Sequence, residues 1–385
     1  MQNRQVIVVG GGLVGALTAL LLAKQGDTVH LIEKRPFIPP LENAPFDLRV
    51  SAFSAQSQKL LALAGVWDCL PKNRLCAYQR LQTWERGSAK LCFDSADLGL
   101  DALGYIVENR WVQAVLWQAL QANPHVIFYE DRQVSSINNS AADVLVELDN
   151  NQQIKAQLLV ACDGANSGVR QLLNIPVTAW DYRQHCMLVN IKTDSVEQNI
   201  TWQEFRESGP CAFLPLAENN ASLVWYHSPQ KIRQLGALSN EQLKEVIIAE
   251  FPALPFDFTV ENKGAFPLTR RHAQTYFKGR CVLLGDAAHT INPLAGQGVN
   301  LGFKDVECLV NLLHSSADLP MSVLLKRYEY TRKPANLLMQ SAMDLFYKAS
   351  KSELDSVRWL RRGILHLAQN SGALKNRVMK YAMGL

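Results

Sequence analysis

The sequence predicts a mixed α/β and α+β protein. An open parallel sheet flanked by helices is expected to carry an inserted antiparallel β-sheet and a C-terminal helical region. Three observations predict it. Apolar runs that end in Gly-containing turns and lead into helical segments recur at Gln5–Val9, Leu158–Cys162 and Cys281–Leu284, the pattern of buried parallel strands with helices packed on them. Between Ile175 and Thr269 the pattern changes to short alternating strands, Cys186–Ile191, Thr201–Phe205, Cys211–Leu216 and Ser222–Tyr226, separated by polar turns. From Met321 it changes again, to helical spacing rich in Lys and Arg. At 385 residues the chain is long for one core. The expected division is 1–75, 100–175 and 270–320 for the first, discontinuous unit. Residues 76–99 and 176–269 are assigned to the antiparallel sheet, and 321–385 to the basic helical region.

Each element has a local reason. Gln5–Val9 is a β-branched run followed by Gly10-Gly11-Gly12-Leu13-Val14-Gly15, which reads G-x-G-x-x-G. An apolar helix, Leu13–Gln25, stops at Gly26, and a second strand, Thr28–Ile32, ends at Glu33. The first Gly allows the tight turn, the second lets a pyrophosphate approach the backbone, and the third lets helix pack on strand. Glu33, about 20 residues on, has the reach to bind both hydroxyls of an adenosine ribose. The reading is therefore a Rossmann-like dinucleotide site, for FAD or NAD and not NADP. Val6–Ala23 is apolar enough to resemble a signal peptide or a membrane span. Four Gly interrupt it and no small-residue cleavage pattern follows, so it reads as a buried strand and helix, and a cytoplasmic location is expected.

Further along, Asp47-Leu48-Arg49 precedes a helix at Ser54–Ala64, and from spacing alone it reads as a solvated pair near a helix start. Leu81–Glu85 and Lys90–Phe93 read as strands, and Val107-Glu108-Asn109-Arg110 leads into a helix, Trp111–Ala122. Leu158–Cys162 ends in Asp163-Gly164, and Arg170 can pair with Asp163 or with a phosphate. The aromatics of the alternating region, Trp202, Phe205, Phe213, Trp225 and Tyr226, can line an apolar pocket or serve as sheet core. Gly285–Gly302, GDAAHTINPLAGQGVNLG, follows a short buried strand. Asp286 at its end can accept hydrogen bonds from sugar-like hydroxyls. Gly296-Gln297-Gly298-Val299-Asn300 opens a helix whose free N–H groups can face an electron-rich ligand.

Composition narrows the classes. The chain is 48% hydrophobic and 19% charged, as a globular protein is. Eight Cys are scattered with no C-x-x-C pair or Cys/His cluster, which argues against a disulfide framework and a metal site. The net charge is +4, but Met321–Leu385 alone holds twelve Lys/Arg against four Asp/Glu. An anionic surface is the expected partner, and no nucleic acid. Val357, Leu360, Ile364, Leu367, Leu374, Val378, Tyr381 and Leu385 recur at helical spacing, with a break expected at Asn370-Ser371-Gly372. That stripe reads either as a helix pair packed on the body or as a helix lying on an anionic bilayer.

The three motifs, GGGLVG with Glu33, Asp163-Gly164 through Arg170, and Gly285-Asp286 through Gly302, stand in an order that resembles the single-component FAD-dependent aromatic hydroxylases, the para-hydroxybenzoate hydroxylase-like flavoproteins. Within them the chain is similar to the ubiquinone-biosynthesis hydroxylases, through Asp47-x-Arg49, Val107-Glu108-Asn109 and the full GDAAHTINPLAGQGVNLG form. TWQEF, GPCAFLPL, ASLVWYHSP, GAFPLTRRHA, MQSAMDLFY and KYAMGL carry a closer likeness, to the bacterial members that act on the demethoxy quinol.

The resemblance implies an FAD-dependent monooxygenase that hydroxylates the ring of a polyprenylated quinol with O2, through a flavin C4a-hydroperoxide. NAD(P)H or another reductant would dock transiently. It implies that Gly10, Gly12 and Gly15, with Leu13 and Val14, hold the FAD pyrophosphate. Glu33 and its neighbour Lys34 would lie at the adenosine ribose. Arg110 would start a helix that touches the cofactor, and Asp163 would lie near the pyrophosphate. Asp286 would bind the ribityl chain. Gly296, Gln297, Gly298, Val299 and Asn300 would lie along the isoalloxazine ring. Arg49 would lie near the flavin and the substrate entrance, and Pro293 beside the oxygen chemistry. His289 is a candidate catalytic group, although a His in such a turn also reads as a structural hydrogen-bonder. The alternatives are hydroxylation at another ring position of the same pathway, an FAD-dependent prenyl-lipid dehydrogenase or reductase, and a flavin-bearing scaffold. A polyprenyl substrate would place the protein peripherally at the inner face of the plasma membrane or on a ubiquinone-biosynthesis enzyme complex.

Overall fold

A computed structural model describes residues 3–85, 90–195, 198–252, 254–291, 298–316 and 318–351, with side chains to 345. Five parallel strands form its first sheet, in the spatial order Cys281–Leu283, Leu158–Ala161, Gln5–Val9, Thr28–Glu33 and Val126–Glu130. Phe277–Lys278 adds an antiparallel edge. The central strands are apolar almost throughout because both faces are covered, and Val6, Ile7, Val8, Leu158, Leu159 and Val160 are fully buried. Helix Leu13–Lys24 is apolar on every side for the same reason, since Gly15 through Ala23 are all buried. It packs between helices Asn109–Gln121 and Gly298–Ser315.

Eight strands form the second sheet, in the order His289–Thr290, Phe258–Ala273, Val177–Thr193, Asn220–His227, Cys211–Pro215, Ile200–Phe205, Arg80–Glu85 and Leu91–Asp94. Neighbours are antiparallel except Ile200–Phe205 and Arg80–Glu85, which run parallel. Helices Pro229–Ala237 and Asn240–Glu250 cover one face, where Met187, Val189, Phe213, Leu223 and Trp225 form a second core. Trp202 stacks on Phe213 (5.8 Å) and Trp225 meets Phe251 edge-on (5.2 Å), so these aromatics are core and not pocket lining. Tyr226 lies on the opposite face with Cys186 and Leu268.

The structure extends the strand read as Cys186–Ile191 to Val177–Thr193. An irregularity between Asp181 and His185, with Arg183 at φ +52°, interrupts the alternation and hides its first half in sequence. Two three-stranded sheets complete the fold. Val50–Ser54, Gly104–Glu108 and Leu75–Tyr78 form one. Val134–Asn139, Val144–Leu148 and Gln153–Ala156 form the other, which the sequence reading did not contain. Helix Met321–Lys351 closes the described chain, and the apolar stripe from Val357 to Leu385 lies outside the described residues. Among the described residues no helix is long and apolar enough to cross a membrane.

Candidate active site

The three Gly-containing turns converge. A Cβ on Gly15 would stand 1.8 Å from the Gly10 carbonyl oxygen and 3.0 Å from Cys162 Cβ, so helix and two strands touch there. Gly10 takes φ +100°, and a Cβ on it would meet the Cys162 carbonyl at 2.5 Å. Val14 reaches the third turn, within 3.2 Å of a Cβ on Gly285 and 2.6 Å of one on Gly302. Arg170 links the second turn to the third, donating from Nη1 to the Ala287 carbonyl (2.8 Å) and from Nη2 to that of Ala165 (2.9 Å). It thus pairs with carbonyls and makes no hydrogen bond to Asp163 among the described residues, although the Asp163 charge still acts on it.

At the nucleotide end the residues fit a dinucleotide. A Cβ on Gly12 would meet nothing within 4 Å, and helix Leu13–Lys24 starts with no side-chain cap. Free N–H groups therefore face open space at a helix N-terminus, as an anionic pyrophosphate requires. Glu33 stands beside them, its Oε2 accepting from Gly11 N (2.5 Å) and its Oε1 from Arg35 N (3.0 Å). The Gly11 carbonyl accepts from Trp117 Nε1 (2.7 Å) and Gln113 Nε2 (2.8 Å). Leu13 and Val14 are half-buried and Lys34 is exposed. Asp163 accepts from Val169 N (3.1 Å), but its Oδ1 is buried without a partner, and desolvation pushes the carboxyl up against the hydrogen bonds from Ser167 and Val169.

At the other end strand Cys281–Leu283 gives way to a 3-10 turn, Gly285–Ala287, with Gly285 at φ +55°. Asp286 is exposed between buried neighbours. Its carboxyl is nevertheless pushed up by desolvation, with His289 and Arg49 opposing. Arg49 lies near enough to act on the Asp286 carboxylate. Arg49 itself is exposed, on a backbone held from below. The carboxylate of Glu108, fully buried, accepts from Asp47 N (2.7 Å), Arg110 Nη2 (2.7 Å) and Arg74 Nη1 (3.3 Å). Arg110 also donates to the Pro45 carbonyl, Arg74 to those of Glu42 and Ala44, and Asn190 to those of Phe46 and Asp47. Arg110, expected at the cofactor, thus has its guanidinium committed to Glu108 and Pro45, and it sits inside a helix that begins at Asn109.

Helix Gly298–Ser315 packs against the Gly285–Ala287 turn. A Cβ on Gly298 would meet nothing within 4 Å, Val299 is half-buried, and Asn300 is buried. Asn300 Oδ1 accepts from Ser54 N (3.0 Å) and Ser57 Oγ (2.7 Å), and its Nδ2 donates to the Ala52 carbonyl (2.8 Å). It clamps the helix to the Val50–Ser54 strand. His289 is buried with Nε2 2.5 Å from Asp305 Oδ2, a structural position. Pro293, Gly296 and Gln297 lie outside the described residues. Sequence reasoning missed Asp305 and Arg74, and it quoted Glu108 within Val107-Glu108-Asn109 without giving it a role. A signal for Asp305 exists, an acid on the apolar stripe that Leu301, Val306 and Leu309 define, which must find a partner to be buried.

The sequence profile of the FAD-binding-domain family matches residues 3–341. The chain belongs to that family. FAD is accordingly its cofactor. The 3-demethoxyubiquinol 3-hydroxylase of Escherichia coli (strain K12) is 44% identical over 391 residues, covering 100% of this chain and 99% of that protein. The human mitochondrial ubiquinone biosynthesis monooxygenase COQ6 is 30% identical, covering 98% of this chain and 92% of its own. Among solved structures, p-nitrophenol 4-monooxygenase PnpA from Pseudomonas putida DLL-E4 superposes with a TM-score of 0.80 at 21% identity, covering 99% of this chain and 98% of that one. At that identity the likeness speaks for the fold of an FAD-binding protein.

Proposed function

We propose that this protein is an FAD-dependent monooxygenase that hydroxylates the ring of a polyprenylated quinol in ubiquinone biosynthesis, converting 3-demethoxyubiquinol to 3-demethylubiquinol. The observation that carries the reading is the close approach of Val14 to Gly285 and Gly302, which packs the nucleotide turn against the Asp286 turn. The full-length likeness to a 3-demethoxyubiquinol 3-hydroxylase supports the choice of substrate.

Bound FAD supplies the two-electron chemistry that activates O2 for insertion into an aromatic ring. The chain supplies the rest. Gly10, Gly12 and Gly15 with Leu13 and Val14 hold the pyrophosphate, and Glu33 holds the ribose beside Lys34. Asp163 lies on the pyrophosphate side and Asp286 anchors the ribityl chain. The N–H groups that open helix Gly298–Ser315, with Val299 and Asn300, favour an electron-rich ring at that end. By the family resemblance Pro293 stands beside the oxygen chemistry and Gly296 and Gln297 along the flavin ring. Arg49, near enough to act on Asp286, stands at the substrate entrance and limits water there. NAD(P)H is the transient reductant. Because a polyprenyl substrate resides in lipid, the basic C-terminal region holds the protein peripherally on an anionic bilayer.

Purified protein given FAD, NADPH, O2 and the demethoxy quinol is expected to form the hydroxylated product by mass spectrometry. Oxidation of NADPH with no oxygen gained by the quinol would leave a reductase instead. A strain lacking the gene is expected to accumulate the demethoxy quinone, and accumulation of another intermediate would refute the ring position. Removing 352–385 is expected to abolish binding to anionic liposomes, and retained binding would remove the bilayer reading.

A further inference from the structure

Asp305 is fully buried on helix Gly298–Ser315, among Leu301, Phe303, Val306 and Leu309. A carboxylate there costs heavily unless it is fully hydrogen-bonded. It receives four donors. Oδ2 accepts from Gly285 N (3.1 Å) and His289 Nε2 (2.5 Å), and Oδ1 accepts from Arg332 Nε (2.7 Å) and Asn336 Nδ2 (3.1 Å). Arg332 Nη2 also donates to Asn336 Oδ1 (2.9 Å), and Asn336 Nδ2 to Tyr276 Oη (3.4 Å). Burial alone would raise the Asp305 pKa, but His289 and Arg332 outweigh it and hold the carboxyl at about 2.

The first two donors bracket Asp286. Gly285 precedes it and His289 follows it by three residues, so one carboxylate grips the turn on both sides. The other two donors come from helix Met321–Lys351, more than 25 residues further along the chain. An apolar residue would serve packing on this helix face, as its neighbours do, and would leave the Gly285 N–H without this acceptor and the buried Arg332 guanidinium without a carboxylate. We infer that Asp305 is a positioning residue of the flavin site: it fixes the Gly285–Ala287 turn, and with it the aim of Asp286, against Arg332 and Asn336. His289 acts as one arm of that grip. The inference rests on the reading of Asp286 as the ribityl anchor.

The test is made on the full chain with Asp305→Asn, which keeps the side-chain size but presents an NH2 group to one of the two donor pairs. Fluorescence titration of the apoprotein gives the FAD dissociation constant. Visible circular dichroism reports the setting of the bound flavin, and the apoprotein melting temperature reports structure alone. The expected result is a dissociation constant at least tenfold higher and a shifted flavin dichroism band, with Arg332→Met moving both in the same direction. Wild-type affinity and dichroism in Asp305→Asn, whatever happens to the melting temperature, would overturn the inference. If Asp305→Asn does not fold, His289→Ala removes one arm only, and unchanged affinity and dichroism there would overturn it equally. Asp286→Ala separates the two readings. Unchanged FAD affinity in that variant removes the ribityl anchor itself, whereas a loss there beside no change in Asp305→Asn removes only the positioning role.

Discussion

Gly12 and Gly15 sit three residues apart in one motif and answer to different constraints. Gly15 is a packing residue, because its hydrogen faces the Gly10 carbonyl where a Cβ would stand at 1.8 Å. Gly15→Ala must push helix Leu13–Lys24 off its strands and is expected to cost about 3 kcal/mol, read as a lower denaturation midpoint of the apoprotein. Gly12 faces open space. Gly12→Ala is expected to change apoprotein stability by only about 0.5 kcal/mol while weakening FAD binding, since its methyl occupies the room above an uncapped helix. Titration of FAD into the two apoproteins beside their denaturation curves checks the contrast. Such residues were legible because a glycine fingerprint and a strand-end acid are local signals. Glu108, Arg74 and Asp305 were not, because apart from the Glu108–Arg110 pair their partners lie 16 to 61 residues away and only the folded chain brings them together. Arg110 illustrates the same limit. Its place at a helix start was readable, and its commitment to Glu108 was not.

At the scale of the element, buried strands and the all-apolar first helix announced themselves by composition. Val134–Asn139, Val144–Leu148 and Gln153–Ala156 did not, because their segment mixes Asn, Ser, Gln and Asp with short apolar alternations and half of it faces solvent. The docking of helix Met321–Lys351 on the second sheet has a titratable element. His272 is buried on strand Phe258–Ala273, with Nδ1 2.9 Å from Gln340 Oε1 and Nε2 without a partner. Desolvation pulls its pKa from 6.5 down to about 4, with Gln340 opposing and His289, Lys333 and Arg270 reinforcing. Between those two values the unfolded chain binds a proton that the folded chain refuses. Stability is therefore full above pH 6.5 and falls as pH drops towards 4. The gap corresponds to about 3 kcal/mol at most. Urea denaturation at pH 7 and pH 4.5 is expected to show that loss in the wild type and a smaller one in His272→Gln.

At the scale of the molecule, helix Met321–Lys351 joins the two large sheets. Tyr328 donates to the Leu283 carbonyl (3.1 Å) on the parallel sheet. Gln340 donates to the carbonyls of Arg271 and Thr290 (3.1 Å each), and Asp344 accepts from Tyr182 and Arg270 on the second sheet. Asp344→Ala removes both acceptor contacts and leaves Arg270 half-buried without its carboxylate. A loss of about 1–2 kcal/mol is expected, seen as a melting temperature lower by about 2–4 °C. Unchanged melting would show that Tyr182 and Arg270 are satisfied by water instead. The helix itself was readable from its spacing, but its role as a strut was not, since nothing local in Tyr328, Gln340 or Asp344 names a partner.

The spatial order of the parallel sheet has a consequence for synthesis. Strand Cys281–Leu283 is among the last to leave the ribosome, yet it pairs with Leu158–Ala161 near the middle of the sheet. Until it arrives, Leu158–Ala161 is an open, wholly apolar edge, and such edges recruit other chains. Val14 at that stage lacks both glycine turns that it will touch. A nascent chain of 275 residues thus carries the complete glycine fingerprint without the Gly285 and Gly302 turns that pack on Val14. A chain ending at residue 275 is therefore expected to aggregate where the full-length chain does not, whether or not FAD is supplied.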